Sequence, residues 1–164
     1  MEVTLSISIL FLLIRDRKRD IVEKVIFEGI LLAIIIRSSY RQPGISFFTP
    51  GELSQQLAYM QHPAGHVIEP HVHNRVIREV HYTQEVLVLR KGRLRVDFYD
   101  TGKRYVESRV LDAGDVILLA TGGHGFEVLD DVEMFEIKQG PYVGEQDKTR
   151  FTGIPRSDVN IVND

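Results

Sequence analysis

Residues 85–120 read EVLVLRKGRLRVDFYDTGKRYVESRVLDAGDVILLA, and the punctuation of this stretch decides the fold. The runs Val86–Arg90, Leu94–Tyr99, Tyr105–Leu111 and Val116–Ala120 are separated by turn residues at Lys91-Gly92, Asp100–Lys103 and Asp112–Asp115. Each run is short and rich in β-branched, aromatic or leucine side chains, which favours a strand over a helix. The pattern continues through Phe126–Leu129 and Val132–Lys138, with turns at Thr121–Gly125, Asp130-Asp131 and Gly140-Pro141. Short strands at near-regular spacing, with no long amphipathic helix among them, predict an all-β antiparallel sandwich or barrel, and a jelly-roll barrel over residues 25–143 is the natural reading.

Working outward, Ile30–Ile36 (ILLAIII) is a buried strand that Val25–Phe27 can pair with across Glu28 and Gly29. Thr49-Pro50-Gly51-Glu52 carries a capping-box pattern and predicts one short helix to about Gln56. Residues 1–24 form an amino-terminal extension, either packing on the domain or poorly ordered. The polar residues 144–164 form either a mobile tail or a strap across a barrel mouth.

The whole chain bounds the function. Its 164 residues suit one domain with a real core, and a formal net charge of -3 with both signs interspersed gives no basic field for nucleic acid. The run Arg15–Arg19 (RDRKR) is short and reads as a solvated turn. Cysteine is absent, so any metal must be held by histidine and carboxylate, and a reducing cytoplasm is the expected setting. Val3–Ile14 is a largely apolar run of twelve residues, short of the ~18–20 needed to span a bilayer as a helix. It lacks the basic start and the cleavage site of a signal peptide. An apolar strand or helix packing on the domain or on a second subunit is the expectation there, and with it a homodimer.

The candidate site lies in three fragments. In Gly65–His73 (GHVIEPHVH), His71 and His73 stand one residue apart, so on an extended strand both rings face the same way. Glu85–Gly92 brings Glu85 to the start of an apolar hairpin, and Gly114–Gly125 (GDVILLATGGHG) brings His124. Three imidazoles and a carboxylate suit Fe, Mn, Ni, Zn or Cu without distinguishing among them, and they leave coordination positions free for water or substrate.

These fragments resemble the two signature motifs of the cupin superfamily, over about residues 57–141. The first motif sets a glycine before His-x-His and a glutamate before a turn glycine, positions taken here by Gly65, His71, His73, Glu85 and Gly92. The second runs from a glycine through a buried strand to a histidine, matching Gly114, Gly122 and His124. The resemblance implies a metal held by His71, His73, Glu85 and His124 inside a small jelly-roll barrel. Eleven residues, Asn74–Gln84, separate His73 from Glu85, more than the family carries, so this insertion loops out. Glu79 lies nearer the usual distance and is the alternative carboxylate, but no turn glycine follows it. Ala120 stands at the usual proline position, His124 comes one residue early, and Val128 stands where asparagine is common.

His81 shares a face with Thr83 and Glu85 on an extended chain, and with Glu79 it is the candidate proton carrier. Arg75 and Arg78 could touch an anionic or hydroxylated substrate, while His62 and His66 precede the motif and read as exposed or supporting. The leading expectation is a metal-dependent isomerase or epimerase acting on a sugar or other hydroxy-carbonyl compound. An Fe(II)-dependent dioxygenase and a non-enzymatic metal- or metabolite-binding module are the alternatives.

Overall fold

The computed structural model describes residues 20–162. The readings of Val3–Ile14 and Arg15–Arg19 lie outside these residues. The described chain is all-β, with ten strands. β1 (Val22–Phe27) and β2 (Ile30–Ile36) form a hairpin whose turn residues Glu28 and Gly29 both have positive φ, 49° and 80°. That two-residue turn matches the right-handed twist of the strands it joins. β1 begins at Val22, three residues before the run Val25–Phe27 that the sequence marks as its strand.

β3 (Gly44–Phe47) and β4 (Ala58–Gln61) form a separate two-stranded hairpin. After a long irregular segment come β5 (Glu85–Lys91), β6 (Arg93–Tyr99), β7 (Tyr105–Asp112), β8 (Val116–Leu119), β9 (Gly123–Val128) and β10 (Glu133–Lys138). Hydrogen bonding orders them as a five-stranded sheet β1-β2-β8-β5-β10 and a three-stranded sheet β7-β6-β9, with neighbouring strands antiparallel throughout. The result is a β-sandwich, and its sheets are not hydrogen-bonded into a closed ring among the described residues.

Alternation explains the core. The inward side chains of β5 (Leu87, Leu89), β2 (Ala33, Ile35) and β8 (Ile117, Leu119) meet Leu94, Val96 and Phe98 of β6 and Leu111 of β7. The outer face of the larger sheet buries Val86, Leu118 and Ala120 beneath Leu53 and Leu57. Gly92, with φ +80°, sits where a Cβ would run into the Asp131 carbonyl, so the β5–β6 turn packs directly on the turn before β10.

The helix expected over Thr49–Gln56 does not form, and only turns and bends occur there. The side chain of Gln56 occupies the carbonyls of Pro50 and Leu53, at 3.0 and 2.8 Å, which a growing helix would need for its own N–H groups. Thr49 still caps, but it caps a closed loop: its hydroxyl accepts from Leu57 N at 3.1 Å and bonds Gln56 Oε1 at 2.9 Å.

A buried ionic cluster ties the sheets together. Arg37, at the end of β2, donates to Glu23 Oε1 (2.6 Å), Asp115 Oδ2 (2.8 Å) and the Val110 carbonyl of β7 (2.8 Å). Arg109 of β7 reaches the other oxygen of Glu23 at 2.9 Å. Burial acts to lower the Arg37 pKa, and Glu23 and Asp115 more than restore it, so the guanidinium stays charged. Removing one member of such a cluster strands its partners without solvent. Arg37→Met is therefore expected to lower the unfolding free energy by about 3–5 kcal/mol, whereas Arg150→Ala, which breaks an exposed pair with Glu145, costs less than about 1 kcal/mol. Urea denaturation of the two variants checks this, and equal losses would deny the cluster its role.

Candidate functional site

Two strand ends meet at one end of the sandwich. Glu85 opens β5, flanked in register by Leu119 of β8 and Lys138 of β10, and it shares an inward face with Leu87 and Leu89. His124, the second residue of β9, lies beside Phe98 of β6 and so also faces inward. Each residue belongs to a different sheet, and their side chains meet: His124 Nε2 lies 3.2 Å from Glu85 Oε2. Gly122 (φ +76°) makes this approach possible, because a Cβ there would collide with the Tyr99 carbonyl.

The pair borders a cavity of about 660 Å3, the size of a small-molecule site. β9 is an edge strand, and Gly123, His124, Gly125 and Phe126 all line the cavity. Glu136 and Lys138 of β10, two residues apart, enter it from the larger sheet, and Tyr82 and Thr83 contribute from the segment before β5. Phe126 stands 5.2 Å from the His124 ring and is 41 % exposed.

The carboxyl-terminal residues close the far wall as a strap. The Phe151 ring packs edge-on against Tyr99 at 5.0 Å, and Ile154 N donates to the Tyr99 hydroxyl at 2.9 Å. Farther on, Ser108 N donates to the Asn160 carbonyl and Val162 N to the Ser108 carbonyl, both at 2.9 Å. Asp147, Lys148, Thr149 and Arg150 are thereby held on the cavity.

His71 and His73 lie elsewhere. Residues 62–84 contain no strand, and residues 63–83 are almost wholly exposed. The two rings face each other edge-on at 5.3 Å, and His71 Nδ1 is 3.0 Å from the Glu69 carbonyl. Glu79 and His81 belong to the same segment, 3.8 Å apart with side chains 83 and 71 % exposed, and neither lines the cavity. Arg75 and Arg78 are exposed there too. His62 and His66 stack in parallel at 4.1 Å. The structure thus brings together Glu85 and His124 and keeps His71 and His73 as a second pair. No group of three or more histidine, aspartate or glutamate side chains gathers at ligand spacing among the described residues.

The donor types nevertheless suit a divalent transition metal. Ligand bonds of roughly 2.0–2.2 Å place two donors on one ion about 3 Å apart, close to the Glu85–His124 separation.

Sequence reasoning missed Tyr99, Lys138, Lys148 and Phe151. Only Phe151, the one aromatic residue after Tyr142, carried a signal, since a lone ring in a polar tail marks an anchor. No family model, curated protein or solved structure matches the chain. Among the described residues no helix is long and apolar enough to cross a membrane.

The electrostatics of the pair set a pH dependence. The hydrogen bond from His124 holds the Glu85 carboxyl below its ordinary 4.5; burial opposes this, and Lys138 and Lys148 add to the lowering. A carboxyl with a depressed folded pKa stabilises the fold above its unfolded value, and that contribution disappears as pH falls through the lower folded value. Wild type is therefore expected to lose stability below about pH 4.5 more steeply than Glu85→Gln. Thermal melts of both between pH 3 and pH 7 measure this, and parallel curves would contradict it.

Proposed function

We propose that the chain is a cupin-like small-molecule isomerase or epimerase, acting on a hydroxy-carbonyl compound at a divalent metal held by Glu85, His124, His71 and His73. The observation that carries the reading is the Glu85–His124 pair at ligand spacing on a small-molecule cavity. The other two ligands come from the 62–84 segment. Its end already touches the cavity through Tyr82 and Thr83, and the twelve steps from His73 to Glu85 reach up to about 40 Å when extended. Loops this long without regular structure are uncommon in compact domains and are usually functional. Settling of this segment beside β9, whose outer edge is open, extends the smaller sheet toward a jelly-roll barrel.

A bound ion supplies Lewis acidity toward a substrate carbonyl. The chain supplies the rest. Glu85 is ionised and ready to ligate, and His81 and Glu79, carried on the same segment as His71 and His73, move the proton between adjacent carbons. Tyr82 and Phe126 cover the cavity mouth with apolar surface and limit water.

A second reading follows from the hydrogen bond itself. Without a metal, Glu85 holds the His124 ring in place, so that His124 acts as the general base for the same proton transfer.

Titration of the purified protein with Zn2+, Mn2+, Ni2+ and Fe2+, followed by calorimetry and thermal melts, separates the two. One ion per chain is expected; structural-site free energies of roughly 10–16 kcal/mol shared among four ligands come to about 2.5–4 kcal/mol each, so His124→Ala weakens binding by about 100-fold and the double variant His71→Ala/His73→Ala by about 10,000-fold. Undiminished binding in the double variant would sink the four-ligand site. Turnover without any stoichiometric metal would favour the His124 base.

A further inference from the structure

The strap is more than a clamp, because it puts charged side chains on the cavity wall. Three cations line the cavity, and two of them are already engaged. Lys138 lies 3.3 Å from Glu136, with Glu85 and Asp147 also acting on it, and its ammonium stands over the Tyr142 ring. Arg150 is paired with Glu145 at 3.0 Å. Lys148 forms no ion pair among the described residues, although it lies close enough to act on Glu85. The strap that carries it is anchored three residues on by Phe151, which packs against Tyr99 and Gly123.

We propose that Lys148 is a specificity-determining residue that binds an oxyanion group, carboxylate or phosphate, of a small hydroxylated substrate whose reacting carbonyl lies at Glu85 and His124. The inference rests on the proposed function and names the substrate class for that site. Four carboxylates line the cavity. Asp97 is held by both Nε and Nη2 of Arg95, at 2.8 and 2.9 Å, Glu85 and Glu136 have partners of their own, and Asp147 acts on Lys138. An ammonium with no ion pair among the described residues, beside a hydroxyl-bearing wall of Thr121 and Thr149, is suited to the oxyanion of a hydroxylated molecule.

The test compares the binding of D-glucuronate, D-glucose 6-phosphate and 3-phosphoglycerate with that of D-glucose and glycerol, by calorimetry on the full chain. At least one acidic compound is expected to bind about three- to tenfold more tightly than the neutral ones, the range between an exposed ion pair and a charge-assisted hydrogen bond. D-glucuronate carries only a carboxylate and D-glucose 6-phosphate only a phosphate, so which of these two gains tells one group from the other. Lys148→Gln abolishes the preference, Lys24→Ala, which removes an exposed ammonium outside the cavity, preserves it, and about 0.5 M salt weakens it. Equal binding of acidic and neutral compounds, no binding of any acidic compound, or an unchanged preference in Lys148→Gln overturns the proposal. Metal binding is read separately. If Lys148→Gln keeps the ion but not the preference, both readings stand; if His124→Ala keeps the ion while the preference depends on Lys148, the four-ligand site fails and the oxyanion subsite survives.

Discussion

The guanidinium of Arg37 is the constraint on which the described structure depends. It sits where β2 ends, and it hydrogen-bonds to Glu23 of β1, Val110 of β7 and Asp115 in the turn before β8, so one side chain spans both sheets. Apolar packing alone fixes how far apart the two layers stand, because burial is proportional to area and has little direction. The ionic cluster adds direction. With Arg109 on the far side of Glu23 and the Asp115 carboxylate accepting from the backbone of Ser38 and Asp112, sliding one sheet past the other breaks several charged hydrogen bonds at once.

That registration matters at the opposite end, where Glu85 and His124 meet. The two residues belong to different sheets and meet side chain to side chain, so their separation reports how the layers are aligned. A shift by one residue in either strand would turn Glu85 or His124 away from the cavity, since side chains alternate along a strand. The glycine at 122 and the bulge between Phe98 and Tyr99 absorb the local bending that this alignment requires.

Much of this was legible in the sequence. β5 to β10 fall within a few residues of their expected positions because their turns are built of glycine and aspartate, which the local backbone demands. Glu85 and His124 were legible from the same glycines, Glu85 by its distance from the turn glycine Gly92 at the far end of β5 and His124 by its place among Gly122, Gly123 and Gly125. The β3–β4 hairpin was not, because four-residue strands with Ile45, Phe47 and Met60 exposed carry no burial pattern. The helix after Thr49 was misread because a capping box announces a start, but cannot say whether a neighbouring side chain, here Gln56, will compete for the carbonyls. His-x-His spacing tells which face two rings share once a strand exists, and residues 62–84 form none. The tail was undecidable between mobile and strapped, since its anchors are isolated contacts without periodicity: one ring at Phe151 and main-chain bonds at Ile154, Asn160 and Val162.

The strap follows every strand in chain order, and this has a temporal consequence. Domains assemble from the amino-terminal side as they leave the ribosome. Both sheets can therefore condense and bring Glu85 against His124 while the far wall of the cavity has yet to be translated. Ligand recognition matures after the framework does, and a nascent chain halted near residue 143 would present a finished scaffold around an unfinished binding site.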